Sequence, residues 1–141
     1  MSLFIDTSVW SLALRRDAPA QVPEVRELAR ALEAGNPIFT TGLVLQELLQ
    51  GFSGPKAQNQ IVDRFSALPL LVPDRQDYID AAGIRNACRR KGVQLGTIDA
   101  LLAQLCIRHQ LVLLSTDRDY QLASRYVPLK IWEAPLAGSP N

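Results

Sequence analysis

Leu3-Phe4-Ile5-Asp6-Thr7-Ser8-Val9-Trp10 decides how this chain reads. Three consecutive apolar residues stop at an acid followed by two hydroxyl residues, the pattern of a strand buried on both faces that runs into a helix. Sites in open α/β sheets form beyond the carboxyl ends of the strands, so Asp6 stands at a favoured place for chemistry. The competing reading is that Asp6, Thr7 or Ser8 simply caps the following helix. Acids elsewhere in the chain have to decide between the two.

Downstream, strand-like and helix-like stretches alternate. The first helix continues through Ser11 to Arg15 and breaks at Asp17-Ala18-Pro19; Pro23 then opens a second, with Val25, Leu28, Ala29 and Leu32 at helical spacing and a stop at Gly35-Asn36-Pro37. Ile38–Thr41 is a second strand, and Gly42 leads into a helix whose Val44, Leu45, Leu48, Leu49 and Phe52 form an apolar stripe. Glu47 borders that stripe, either facing a site or as an ordinary solvated glutamate. A helix from Pro55 to about Leu68 turns Ile61, Val62 and Phe65 inward, and Leu70–Val72 is a third strand.

Asp77 to Lys91 reads as a long helix ending at Gly92, with Tyr78, Ala81, Ala82 and Cys88 on one face. Arg85 falls on that face, where a guanidinium either pairs with an anion or snorkels to solvent. Arg89, Arg90 and Lys91 form a basic run that also suits the negative end of the helix dipole. The next helix starts near Thr97, its expected N-cap, carries Asp99 in its first turn, and is apolar through Ile98, Leu101, Leu102, Leu105 and Cys106. An acid there either answers the helix dipole or faces a partly desolvated site. Leu111–Leu114 is a fourth strand that runs into Ser115-Thr116-Asp117-Arg118-Asp119, repeating the opening pattern; a short helix to about Arg125 and a strand at Leu129–Trp132 follow.

The expected fold is therefore α/β: a central, mainly parallel sheet of about four or five strands flanked by helices, in one domain over residues 1–132, with a flexible tail over 133–141. The 141 residues are enough to bury a core without disulfides or a structural metal. With 48% hydrophobic and 21% charged residues and a net charge of +1, the composition is that of a soluble globular protein. No stretch approaches the ~18 apolar residues of a membrane span, and the start lacks the features of a signal peptide, so the expected location is the cytoplasm. Cys88 and Cys106 have no CxxC spacing and His109 is the only histidine, which disfavours a zinc site and leaves the thiols as core residues.

Parallel strands share one carboxyl edge, so Asp6 and Asp117 would lie together there, with Glu47 and Asp99 on helices packing over it. Two ionised carboxylates ~4 Å apart repel by roughly 4 kcal/mol at an effective dielectric near 20. A divalent cation would relieve that repulsion, and an all-oxygen donor set favours magnesium or manganese over zinc or copper. Such an ion can lower the pKa of water and neutralise charge on a phosphate, chemistry that needs no serine, cysteine or histidine nucleophile.

FIDTSVW at residues 4–10, VLQELLQGF at 44–52, LGTIDALLAQL at 95–105 and LLSTDRDYQLA at 113–123 resemble the four acidic motifs of PIN-domain ribonucleases, and more narrowly those of the VapC toxins of bacterial type II toxin–antitoxin modules. The resemblance runs from Leu3 to about Trp132 and no acid of the pattern is missing. It implies a PIN-like fold and a magnesium- or manganese-dependent ribonuclease, with Asp6, Glu47, Asp99 and Asp117 as catalytic and metal-holding acids. Thr7, Ser8 and Ser115 match the family's hydroxyl residues, and Asp119 is a second acid that assists or replaces Asp117. The resemblance further implies an RNA substrate, a VapB-like antitoxin that blocks the site, and a homodimer. Arg85, Arg89, Arg90 and Lys91 are candidates for holding RNA phosphates.

Two other readings compete. A metal-free acidic module could dock a basic partner, in which case amide replacements of the acids would be tolerated. A phosphatase of the haloacid dehalogenase type would use Asp6 as nucleophile, but that class has a second acid two residues later, where this chain has Ser8.

Overall fold

The computed structural model describes residues 1–15 and 22–135. The expected break at Asp17-Ala18-Pro19 and most of the expected tail, residues 136–141, lie outside the described residues. Five strands, β1 (Leu3–Ile5), β2 (Ile38–Thr41), β3 (Leu70–Leu71), β4 (Val112–Leu114) and β5 (Lys130–Ile131), form a parallel sheet in the order β3-β2-β1-β4-β5. Around it lie α1 (Thr7–Ala13), α2 (Pro23–Ala34), α3 (Gly42–Gly51), α4 (Pro55–Phe65), α5 (Arg75–Arg90), α6 (Thr97–Arg108) and α7 (Arg118–Ala123). The α/β expectation and the parallel sheet both hold. Among the described residues, no helix is long and apolar enough to cross a membrane.

The opening strand is the centre of the sheet, which explains its composition. Leu3, Phe4 and Ile5 are completely buried, so neither face of β1 is left for a polar residue, and β2 and β4 pair with its two edges. Because the chain leaves β1 for β2 on one side and returns to β4 on the other, the carboxyl ends of β1 and β4 flank the point where strand order reverses. That is where crevices form in sheets of this kind.

Local signals set most helix ends. Pro23 and Pro55 occupy first-turn positions, and the Thr41 hydroxyl accepts from Val44 N (3.2 Å) to start α3. Gly35 (φ 71°) and Gly92 (φ 78°) take left-handed conformations just past α2 and α5, where an L side chain would be strained. α5 begins earlier than the sequence pattern suggests because Asp74 and Asp77 form a reciprocal capping box. α6 is capped by Gly96, not Thr97, and no side chain closes its first turn.

Several expected inward residues face out. Ala29 and Leu32 of α2 are exposed, and Glu27 and Ala31 take the buried positions; Val62, Tyr78, Ala82 and Ile98 are exposed as well. On α5 the buried face is Asp77, Ala81, Ile84 and Cys88, rotated from the one drawn through Tyr78 and Ala82. The continuous apolar face of α6 packs along α5, leaving Ala100 through Cys106 buried.

Candidate active site

Asp6 follows β1 directly, and its backbone N–H donates to Leu114 O (2.9 Å), continuing the β1–β4 ladder by one step. That register sets Ser115 beside it, and the Ser115 hydroxyl donates to Asp6 Oδ2 at 2.9 Å. Ser8, in the first turn of α1, donates to the same oxygen at 2.8 Å. The Asp6 side chain takes no capping hydrogen bond from α1, although Asp6 is the N-cap residue. The capping reading of this acid therefore fails: its carboxylate, in a residue only 8% exposed, is clamped by two hydroxyls at the carboxyl end of β1.

The same hydroxyls reach the fourth motif. Ser115 Oγ accepts from Asp117 N (3.0 Å), and Ser8 Oγ accepts from Thr116 N (3.3 Å). Asp117 is the N-cap of α7, its Oδ1 accepting from Asp119 N at 2.9 Å. Asp117 thus has a structural task beside any chemical one, and Asp119 follows it in the first turn of α7.

Glu47 and Asp99 come from helices. Glu47 is largely exposed, and Thr7 Oγ1 makes a long 3.5 Å contact to its Oε1 from the start of α1. Partial burial of the carboxyl end and then the negative charges of Asp6 and Asp99 raise Glu47 above the ordinary glutamate range, against a lowering by Thr7. Asp99, in the first turn of α6, accepts from the Tyr120 phenol through Oδ1 at 3.0 Å. Burial is the main reason its carboxyl is raised; the Tyr120 hydrogen bond opposes this, and the charges of Asp6, Asp117 and Asp119 add to it. Tyr120 itself is 1% exposed, and burial first, then Asp6 and Asp99, push its phenol far up, so it remains a donor.

Among the described residues no cation offsets the charges of these acids. The ion pairs among the described residues are Arg30–Glu27 and Arg108–Asp77, and neither involves Asp6, Glu47, Asp99 or Asp117. As the side chains stand, no group of three His, Cys, Asp or Glu among the described residues is set to hold a metal ion. The donor chemistry nonetheless fits a hard divalent cation: every candidate ligand is a carboxylate oxygen, and the charge coupling of Asp6 with Glu47 and Asp99 marks a place where positive charge is favoured.

The basic candidates form no ion pair with these acids among the described residues. Arg85 Nε donates to Leu95 O (3.1 Å), so this guanidinium braces the segment leading to Asp99, and no acid pairs with it among the described residues. Arg89, Arg90 and Lys91 are exposed at the carboxyl end of α5. Burial raises both thiols; Cys106 is also raised by Asp6, which leaves it a core residue and not a nucleophile. His109 is the exposed C-cap residue of α6.

Tyr120 was not among the sequence candidates. Its signal was modest: an aromatic three residues past Asp117, in the short helix that follows the fourth strand.

The PIN domain family model matches residues 3–126. Ribonuclease VapC11 of Mycobacterium tuberculosis is 32% identical over 130 residues, covering 91% of this chain and 96% of that protein. Ribonuclease VapC23 of the same organism is 30% identical over 127 residues, covering 88% and 98% respectively. Among solved structures, VapBC-1 from nontypeable Haemophilus influenzae matches with a TM-score of 0.72 at 16% identity, covering 94% of this chain and 98% of that one.

Proposed function

The chain belongs to the PIN-domain family and, within it, to the VapC ribonucleases; from that membership we propose that it is a metal-dependent endoribonuclease that acts as the toxin of a toxin–antitoxin pair. The observation that carries this reading is the Asp6 carboxylate, held by Ser8 and Ser115 at the strand-order reversal, with acids from α3, α6 and α7 that pair with no cation among the described residues acting on the same region.

Residues 1–132 form the PIN domain in this reading. Asp6 and Asp99 are the principal ligands of a magnesium or manganese ion, and Glu47 and Asp117 complete the site or orient the attacking water. When bound, the ion supplies water of lowered pKa and neutralises charge that builds on the phosphodiester. Ser8 and Ser115 keep the Asp6 carboxylate in one orientation, which removes the need to order it when substrate arrives. Asp117 fixes the start of α7 and so the position of Asp119, which assists it. Glu47, with its raised carboxyl at the exposed rim, is placed to hold the proton that leaves the water. Arg89, Arg90 and Lys91 offset the repulsion between the acids and RNA phosphates, and Arg85 shapes the approach to Asp99.

Solved neighbours of the same fold include VapBC complexes, VapBC2 from Rickettsia felis bound to a DNA fragment from their promoter among them. They support a VapB-like antitoxin as this chain's partner, and the family pattern supports a homodimer.

The deciding experiment incubates the purified chain with a mixed RNA pool in manganese, magnesium or chelator, beside Asp6→Ala and Asp99→Asn. We expect cleavage in either metal, none in chelator, and none above background in either variant. Cleavage that persists in Asp99→Asn, or that ignores the chelator, overturns the assignment.

A further inference from the structure

Tyr120 links the third and fourth acidic motifs. It lies on α7, three residues after the N-cap Asp117, and its ring belongs to the main core at 1% exposure. From there its hydroxyl donates to Asp99 Oδ1 at 3.0 Å, across 21 residues of sequence. The other Asp99 oxygen lies back toward its own helix start, where a Cβ on Gly96 would come within 3.6 Å of Oδ2. Among the described residues, the Tyr120 phenol is the one side chain that hydrogen-bonds this carboxylate.

The choice of a phenol has a physical reason. Asp99 is partly buried and feels the like charges of Asp6, Asp117 and Asp119, which favour no orientation of its carboxylate toward them. A lysine or arginine in its place would orient the acid but also supply the positive charge that belongs to a bound cation. A neutral donor orients the acid and leaves its charge available. A buried aromatic ring with two rotatable bonds also holds that donor more rigidly than a long aliphatic chain could.

We propose that Tyr120 is a positioning residue that aims the Asp99 carboxylate for divalent-metal binding and ties α7 to α6 across the site. The proposal rests on the reading of Asp99 as a metal ligand.

The test compares the full-length chain with Tyr120→Phe and Asp99→Asn by calorimetric titration with manganese, and measures the manganese concentration for half-maximal RNA cleavage. Tyr120→Phe keeps the ring, so packing is retained and only the donor is lost. We expect about 10- to 100-fold weaker manganese binding, the size typical of losing a partner that orients a metal ligand. The half-maximal concentration should rise in parallel, and most of the cleavage rate should return at saturating manganese. Asp99→Asn should lose binding in the same titration. If Tyr120→Phe binds manganese within twofold of the parent while Asp99→Asn does not bind, the positioning role is overturned and the site assignment stands. If Asp99→Asn binds like the parent, the site assignment falls and the proposal with it.

A second measurement keeps the phenol in place, in case Tyr120→Phe fails to fold. The chain has three tyrosines, and the other two, Tyr78 and Tyr126, are exposed. With both replaced by phenylalanine, a fluorotyrosine label at position 120 gives one fluorine resonance. Magnesium should move that resonance, and Asp99→Asn should abolish the movement. A resonance that ignores magnesium while calorimetry shows magnesium binding to the same sample overturns the proposal.

Discussion

Ser115 donates its hydroxyl to Asp6 Oδ2 at 2.9 Å across 109 residues of sequence, because β1 and β4 are parallel neighbours in register up to Ile5 and Leu114. The bond is a product of the sheet, and it puts the first and fourth motifs on one oxygen. Ser115 is buried and also accepts from Asp117 N. Ser115→Ala therefore removes a donor from Asp6 and strands the Asp117 amide. We expect cleavage to fall about 10- to 100-fold, the range for losing a group that orients a metal ligand. Urea unfolding should register a loss of about 1–3 kcal/mol, the cost of leaving a buried polar group unpaired. Ser115→Thr, which retains the hydroxyl, should recover most of both.

Two acids of the site, Glu47 and Asp99, oppose folding in the absence of a cation. Glu47 and Asp99 are raised, so at neutral pH each is harder to ionise in the fold than in the unfolded chain, and its charge costs stability there. Asp99→Asn should consequently melt higher than the parent in chelator, while losing cleavage. Magnesium should raise the melting temperature of the parent, by the equivalent of about 2.7 kcal/mol at a hundredfold excess over its Kd, and leave Asp99→Asn unmoved. Differential scanning calorimetry with and without magnesium checks both signs.

What could be read from the sequence follows from how local each signal is. Asp6 stands out in the sequence because a fully apolar strand ends on it, Glu47 because it borders an apolar stripe, and Asp99 because it lies in the first turn of a strongly apolar helix. Tyr120 does not, since an aromatic at the edge of a short helix reads as core until the third motif is seen against it. Asp77 was missed for the same kind of reason: an acid in a first turn reads as a solvated cap, and its partners lie 27 and 31 residues away. Val62 and Tyr78 went wrong in the other direction, because an apolar residue one step off a helical stripe has no local mark that it faces outward.

Arg89, Arg90 and Lys91 are exposed and hold no hydrogen bond or ion pair to the acids among the described residues, which frees them for phosphates. Replacing all three with glutamine should raise KM for RNA and leave kcat near that of the parent, because the acids are untouched. The dependence of log KM on log salt should flatten by about 0.7 for each phosphate of single-stranded RNA that is no longer neutralised. Steady-state cleavage at several salt concentrations separates this from a general loss of activity, which would lower kcat at every salt.

The α5–α6 pair that carries Asp99 is fastened at its far end by Asp77, and this makes an acid-sensitive joint. Asp77 is 1% exposed and accepts from Asp74 N at 2.9 Å, Arg108 Nη2 at 2.8 Å and Gln104 Nε2 at 3.3 Å. Burial alone would push its carboxyl up; the Asp74 amide, then Arg108 and Gln104, outweigh that and hold it below the usual carboxylate range. A lowered carboxyl stabilises the fold fully above the unfolded value near 3.9 and loses that contribution as pH falls through the folded one. Arg108→Met keeps the aliphatic stem and removes the cation. It should cost about 2 kcal/mol at pH 7, below the figure for a fully buried pair because the Arg108 side chain is 38% exposed and two other donors remain. With the lowering by Arg108 gone, the acid limb of the melting curve should move to higher pH. Thermal melts of parent and variant between pH 3 and 7 distinguish this from lost packing, which would lower stability equally at every pH. Adding Asp77→Asn to Arg108→Met should then remove the Asp77 contribution to the acid limb and recover part of the loss, since no charge is left unpaired between the two helices at this joint.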